Sequence, residues 1–115
     1  MARRSGRYDN PTKSAYPFEV FDSGWEREYM DALEHDALVK KWTKRHGLEI
    51  PYADTNGKLR NFRPDYLVEL QDGEREIREV KGNHLLPLPD TQAKIAAANE
   101  WCSKRGVVFR VIAKD

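Results

Sequence analysis

The sequence predicts an α/β domain built on a mixed four-stranded sheet flanked by helices, and three observations predict it. Residues 22–42, DSGWEREYMDALEHDALVKKW, gather Trp25, Tyr29, Met30, Ala32, Leu33 and Ala37 into one stripe at helical spacing. Asn56-Gly57 and Asp72-Gly73 are hairpin dipeptides set between runs with strand character. The run REIREVK is followed by an Ala-rich helical segment and then by VVFRVIA. A strand, a crossover helix and a second strand place the last strand parallel to the first.

The elements follow in order. Residues 1–17 are polar and basic with Gly and Pro, and read as a flexible arm ahead of a single domain over 18–115. A short extended piece, YPFEVF, leads to the amphipathic helix, which starts at about Ser23. Two hairpins then join three strands, the middle one long, with Phe62, Tyr66 and Val68 alternating with polar residues. After the Pro-rich link NHLLPLPD comes the second helix, with Asp90 as the expected N-cap and Gly106 as its stop. VVFRVIA, β-branched and aromatic, is short enough for a fully buried strand. The order is α-β-β-β-α-β.

Composition narrows the class. Of 115 residues, 39% are hydrophobic and 34% charged, which fits a folded chain with a heavily charged exterior rather than a disordered one. No apolar run is long enough to span a bilayer, and the N-terminus lacks the apolar segment of a signal peptide, so the expectation is a cytoplasmic or equivalent reducing setting with no membrane partner. Cys102 is the only cysteine; it reads as a small buried hydrophobe on a helix. The net charge of +1 hides two basic patches. Arg3, Arg4, Arg7 and Lys13 stand against Asp9 in residues 1–14, and Lys58, Arg60 and Arg63 stand unopposed in residues 56–63. Such patches suit a polyanion, and equally an ordinary solvated tail and hairpin.

The chemistry gathers at the strand ends. In REIREVKG, Ile77, Glu79 and Lys81 share one face while Arg78 and Val80 share the other. Pro64 lacks a ladder donor and marks a break in pairing, which lets Asp65 lean toward its neighbour. Counting back equally from the turn at Asp72-Gly73 sets Asp65 and Glu79 roughly opposite each other. Two carboxylates beside Lys81 make a hard-oxygen site suited to Mg²⁺ or Mn²⁺, with a fixed positive charge at hand. An ordinary cross-strand charge cluster is the alternative for the same three residues. Glu26 falls inside the apolar stripe of the first helix and Glu28 on its wet side, so Glu26 is the acid expected to face the sheet. Ser23 and Glu26 also form a capping box, in which Glu26 returns to the Ser23 amide. His35, His46 and His84 show no metal spacing, and Trp25, Trp42 and Trp101 read as core.

RPDYLVEL, a hairpin and REVKG together resemble the PD-(D/E)XK nuclease superfamily, with Pro64-Asp65 as the PD and Glu79-Val80-Lys81 as the (D/E)XK. The wider pattern over about residues 18–112, including SGWE and the α-β-β-β-α-β order, is similar to TnsA-type transposon endonucleases and to the C-terminal nuclease domains of type III restriction subunits. The resemblance implies a restriction-endonuclease-like αβββαβ core and Mg²⁺-dependent cleavage of DNA. It implies Asp65, Glu79, Val80 and Glu26 around the metal, with Lys81 as the catalytic lysine. Lys94 resembles the family's AK position, and Lys58, Arg60 and Arg63 are the natural contacts to the DNA backbone. Arg78 departs from the pattern, which commonly has an apolar residue there; an aliphatic stem packed with its head in water would accommodate it. No base-reading element is evident, so specificity is expected from DNA structure or from a partner, as a homodimer or as a subunit of a recombination, phage or defence complex. A catalytically silent nucleic-acid-binding module and an RNA-directed nuclease are the competing readings.

Overall fold

The computed structural model describes residues 5–115, so the expectations for Arg3 and Arg4 fall outside the described residues. In chain order the elements are β1 (Gly6–Asp9), β2 (Phe18–Phe21), α1 (Gly24–His35), β3 (Val39–Thr43), β4 (Ile50–Ala53), β5 (Leu59–Phe62), β6 (Tyr66–Leu70), β7 (Arg75–Gly82), a 3-10 turn (Asn83–Leu85), α2 (Pro89–Ser103) and β8 (Val108–Lys114). The mixed four-stranded sheet has the order β3-β6-β7-β8, and β1-β2 and β4-β5 each form a two-stranded sheet. Two compact units divide the described chain, one from residues up to His46 with Tyr66–Arg75, the other from Gly47–Asp65 with Glu76–Asp115.

In the first unit α1 ends at His35, and Asp36 turns extended. The residues that follow were expected to continue the helix; instead VKKWT becomes β3, antiparallel to β6 with a bulge between Val39 and Lys41. Val39 is buried opposite Leu70, and Trp42 opposite Val68 and against the Tyr66 ring, a partnership that a β-branched and an aromatic residue favour over one more helical turn. The first strand of the main sheet is therefore β3, not IPYA. Met30 and Leu33 are the buried part of the α1 stripe, while Trp25 is exposed.

Over its described residues, 5–17, the expected flexible arm is corrected in the same unit. Residues 6–9 form β1, antiparallel to β2, and Arg7 stacks on the Phe18 ring at 4.0 Å. The Tyr8 hydroxyl donates to Asp31 at 2.5 Å. Glu34 accepts from the Thr12 amide at 2.6 Å, the Lys13 amide at 3.0 Å and the Trp42 indole at 2.8 Å, tying this segment to α1 and β3. A fully buried acid, Glu19, accepts from Ser14 Oγ at 2.6 Å, Thr43 Oγ1 at 2.7 Å and the Lys44 amide at 3.0 Å. A carboxylate removed from water needs such donors, and here they are complete.

In the second unit β7 and β8 pair in parallel, as the strand–helix–strand order predicts, with Glu79 opposite Val111 and Lys81 opposite Ala113. β8 is not fully buried: it stands last in the sheet order and alternates exposed with half-buried residues. α2 opens on Pro89, whose ring suits a first helical turn, and is capped at Leu88; Asp90 lies in the first turn rather than at the cap. The helix buries Thr91, Ala98 and Cys102 and packs against β4 and β8. Gly106, at φ +67°, reverses the chain after it in a conformation that costs glycine little.

Arg78 is 9% exposed, and its head is not in water. The guanidinium donates to Glu76 at 2.9 Å, and Arg110 of β8 donates to the same carboxylate through two nitrogens at 3.1 Å. Burial opposes the charge on Glu76, but the two guanidinium partners outweigh it and hold its carboxyl below the ordinary range.

Candidate active site

The long middle strand read from the sequence is two strands. β5 ends at Phe62 and β6 begins at Tyr66, and the break between them holds the fully buried Pro64. A proline there removes one donor from the ladder, and the neighbouring amides take carboxylates in place of a strand partner. The Asp65 amide donates to Glu79 Oε1 at 3.0 Å, and the Val80 amide donates to Asp65 Oδ2 at 2.8 Å. The two acids are thus interlocked through the main-chain amides of Asp65 and Val80, opposite each other as the hairpin count predicts.

Lys81, on the same face of β7 as Glu79, sets its ammonium 3.5 Å from Glu79 Oε2. Burial first, and then the charge of Asp65, raise the Glu79 carboxyl to about 7, with Lys81 working in the opposite direction. Two carboxylates are held together here against their mutual repulsion, and one ammonium offsets only part of it. The carboxylate oxygens of Asp65 and Glu79 are donors of the kind that a hard divalent cation takes. Among the described residues no cluster of three or more His, Cys, Asp or Glu side chains forms, so the donor set rests on the pair.

A small cleft opens beside the pair, lined by Phe62, Glu79, Lys81, Thr91, Lys94 and Ile95 among others. Lys94, on α2, shares the lining of this cleft with Lys81, its ammonium 3.6 Å from Asp90 and 5.6 Å from the centre of the Tyr52 ring. Thr91 was not anticipated; a buried threonine in the first turn of a helix carries no sequence signal that separates it from a capping residue.

The other predicted residues are distributed as follows. Glu26 sits in the first turn of α1, in the unit that does not contain Asp65 and Glu79. Its amide donates to Ser23 Oγ at 3.2 Å, and its carboxylate accepts from the Asp22 amide at 3.3 Å rather than from the Ser23 amide that a standard capping box would use. The same carboxylate pairs with Lys44, which also reaches Asp22 at 3.7 Å. Lys58 and Arg60 lie on the β4–β5 hairpin, and Arg63 follows it. Arg60 donates to Asp54 at 2.6 Å; that hydrogen bond is the main cause holding Asp54 below its ordinary range and lifting Arg60 above its own. His84 is exposed in the 3-10 turn.

An α/β core with a mixed four-stranded sheet, carrying an interlocked carboxylate pair and a lysine on one strand, has the architecture of a restriction-endonuclease-like fold. Residues 36–114 match the family described as TnsA-like endonuclease N terminal, and the chain belongs to that family. The matched region includes Asp65, Glu79, Lys81 and Lys94; Glu26 precedes it. No curated protein matches the chain.

Proposed function

We propose that this protein is a metal-dependent endonuclease that hydrolyses phosphodiester bonds in DNA, with Pro64-Asp65 and Glu79-Val80-Lys81 as its PD-(D/E)XK motif. The observation that carries the reading is the juxtaposition of Asp65, Glu79 and Lys81 through two reciprocal backbone bonds and one ion pair. Membership in the TnsA-like endonuclease family supports it.

Asp65, Glu79 and the Val80 carbonyl would hold Mg²⁺ or Mn²⁺. When bound, such an ion supplies an acidified water and neutralises charge on a phosphoryl oxygen. The chain's own residues do the rest. Glu79 and Asp65 fix each other's orientation, so their oxygens converge without first having to be ordered. Lys81, a compact point charge, holds the attacked phosphate or steers the water toward it. Lys94, across the cleft, adds a second positive group within reach of a phosphate. Phosphoryl transfer asks mainly for position and electrostatics, so this small constellation suffices. Lys58 and Arg63 grip the backbone, while choice of the cutting site falls largely to a partner subunit or a second copy of the chain.

The test is incubation of supercoiled plasmid, and of RNA of matched sequence, with Mg²⁺, Mn²⁺ or EDTA, beside Lys81→Ala and Asp65→Ala. Metal-dependent nicking of DNA that both substitutions abolish is the expected result. Equal DNA binding by all three proteins with no cleavage at any metal concentration would overturn it in favour of a silent binding module.

A further inference from the structure

The β4–β5 hairpin is a ribbon of its own, outside the four-stranded sheet. Its two faces differ sharply. Cross-strand partners share a face, and Ile50 with Phe62 and Tyr52 with Arg60 form the inner one, on which Ile50 and Tyr52 are buried. The outer face is Pro51 with Asn61 and Ala53 with Leu59; all four are exposed, and Leu59 is 76% exposed. An uncharged face of this kind stands out in a chain whose residues are 34% charged.

The ribbon is also held rigid. Asp54 accepts from the Asn56 and Lys58 amides at 2.9 Å each and from Arg60 Nε at 2.6 Å, which fixes the turn. Tyr52 and Phe62 meet edge to face at 5.9 Å, and α2 packs against β4 from beneath. Phe62 itself lines the cleft of Glu79 and Lys81, so the ribbon adjoins the site. Over residues 50–63 the only acid is Asp54, against Lys58, Arg60 and Arg63, so the ribbon and its exit are net positive.

A rigid two-stranded ribbon with a neutral outer face and a basic rim has the dimensions and charge to enter the major groove of duplex DNA. We propose that the outer face of the β4–β5 ribbon reads bases there, with Asn61 hydrogen-bonding an adenine edge and Leu59 meeting a thymine methyl, giving this chain a local sequence preference of its own. Asn presents a donor and an acceptor that match the adenine N6 and N7 pair, and an aliphatic side chain is the natural partner of the thymine methyl. Lys58 and Arg63 supply the phosphate contacts that hold the ribbon in register. The inference rests on the reading of the chain as a DNA nuclease, and its test does not depend on cleavage.

The experiment is a selection of bound duplexes from a randomised pool by the parent chain in EDTA, followed by sequencing, with Asn61→Ala, Leu59→Ala and Arg63→Ala alongside. Circular dichroism checks that each exposed-site variant keeps its fold. The expected result is an A·T-containing motif enriched by the parent. Asn61→Ala and Leu59→Ala should each reduce that preference on the order of tenfold, whereas Arg63→Ala weakens binding to all sequences alike. A parent that binds duplexes with no enriched motif, a motif that survives both ribbon substitutions, or a parent that binds no duplex each overturns the proposal. Metal-dependent nicking of plasmid decides the nuclease reading separately: cleavage without a motif sinks the ribbon alone, and a motif without cleavage sinks the enzyme alone.

Discussion

Replacing Glu76 by alanine should be among the most damaging single changes in the second unit. Glu76 is 3% exposed and accepts from Arg78 at 2.9 Å through Nε and 2.8 Å through Nη2, besides two bonds from Arg110 at 3.1 Å. The Arg78 side chain is 11% exposed, whereas that of Arg110 is 56% exposed. Removing the acid therefore strips a buried guanidinium of its carboxylate, a loss of about 3–5 kcal/mol. Removing Arg110 instead takes away a partner that water largely replaces, a loss of under about 1 kcal/mol. A third variant, Glu76→Leu with Arg78→Met, removes both buried charges and should recover most of the loss. Urea unfolding followed by tryptophan fluorescence measures all three, with an unchanged m-value certifying that stability alone has moved. If Glu76→Ala lost no more than Arg110→Ala, or the paired substitution were as unstable as Glu76→Ala, the buried pair would not be the cause and the reasoning would fail.

Three further outcomes follow from the same geometry. Asp65→Asn keeps an oxygen for the Val80 amide, so the melting temperature should stay within a few degrees of the parent while metal-dependent nicking disappears; a large fall in melting temperature would show the carboxylate to be structural. Glu34 and Glu76 have carboxyls held below their ordinary range by their donors. The stability they contribute is present above the unfolded carboxyl pKa of about 4.3 and drains away as pH falls below it, so a urea midpoint flat between pH 4.5 and pH 2.5 would contradict the assignment. The Tyr8 phenol, raised to about 12 first by burial and then by its bond to Asp31, should ionise later than an ordinary tyrosine in an ultraviolet titration. Its stabilising share is complete below about pH 10 and is lost as pH rises toward its folded value, and Tyr8→Phe should remove both the late step and that share.

Much of the candidate site and of the strand–helix–strand order was legible in the sequence because its signals are local. Asp72-Gly73 set the β6–β7 hairpin, and equal counting from that turn was enough to bring Asp65 against Glu79. Strand, helix and strand were enough to make β8 parallel to β7. The first unit hid more. Ala37 continues the helical period of α1 by accident of spacing, and only the partnership of Trp42 with Tyr66, distant in the chain, selects a strand for VKKWT. β1 was invisible for a similar reason. Its four residues, GRYD, carry no apolar alternation to read in the sequence, and what holds them is Phe18, Asp31 and Trp42, none of them adjacent in sequence. Arg78 shows the limit of rules about residue type: a charged residue is expected to keep its head in water unless a carboxylate is waiting, and Glu76, two positions back on the same face, was that carboxylate.

The reciprocal bonds between Asp65 and the β7 strand carry one more consequence. The two acids are anchored by main-chain amides, those of Asp65 and Val80, so the geometry of the pair belongs to the fold and does not wait on an ion. For the proposed enzyme, folding and metal loading would then be separate equilibria, unlike those of domains that collapse only around their metal. A chelator should silence such an enzyme without melting it, and returning the ion should restart it at once.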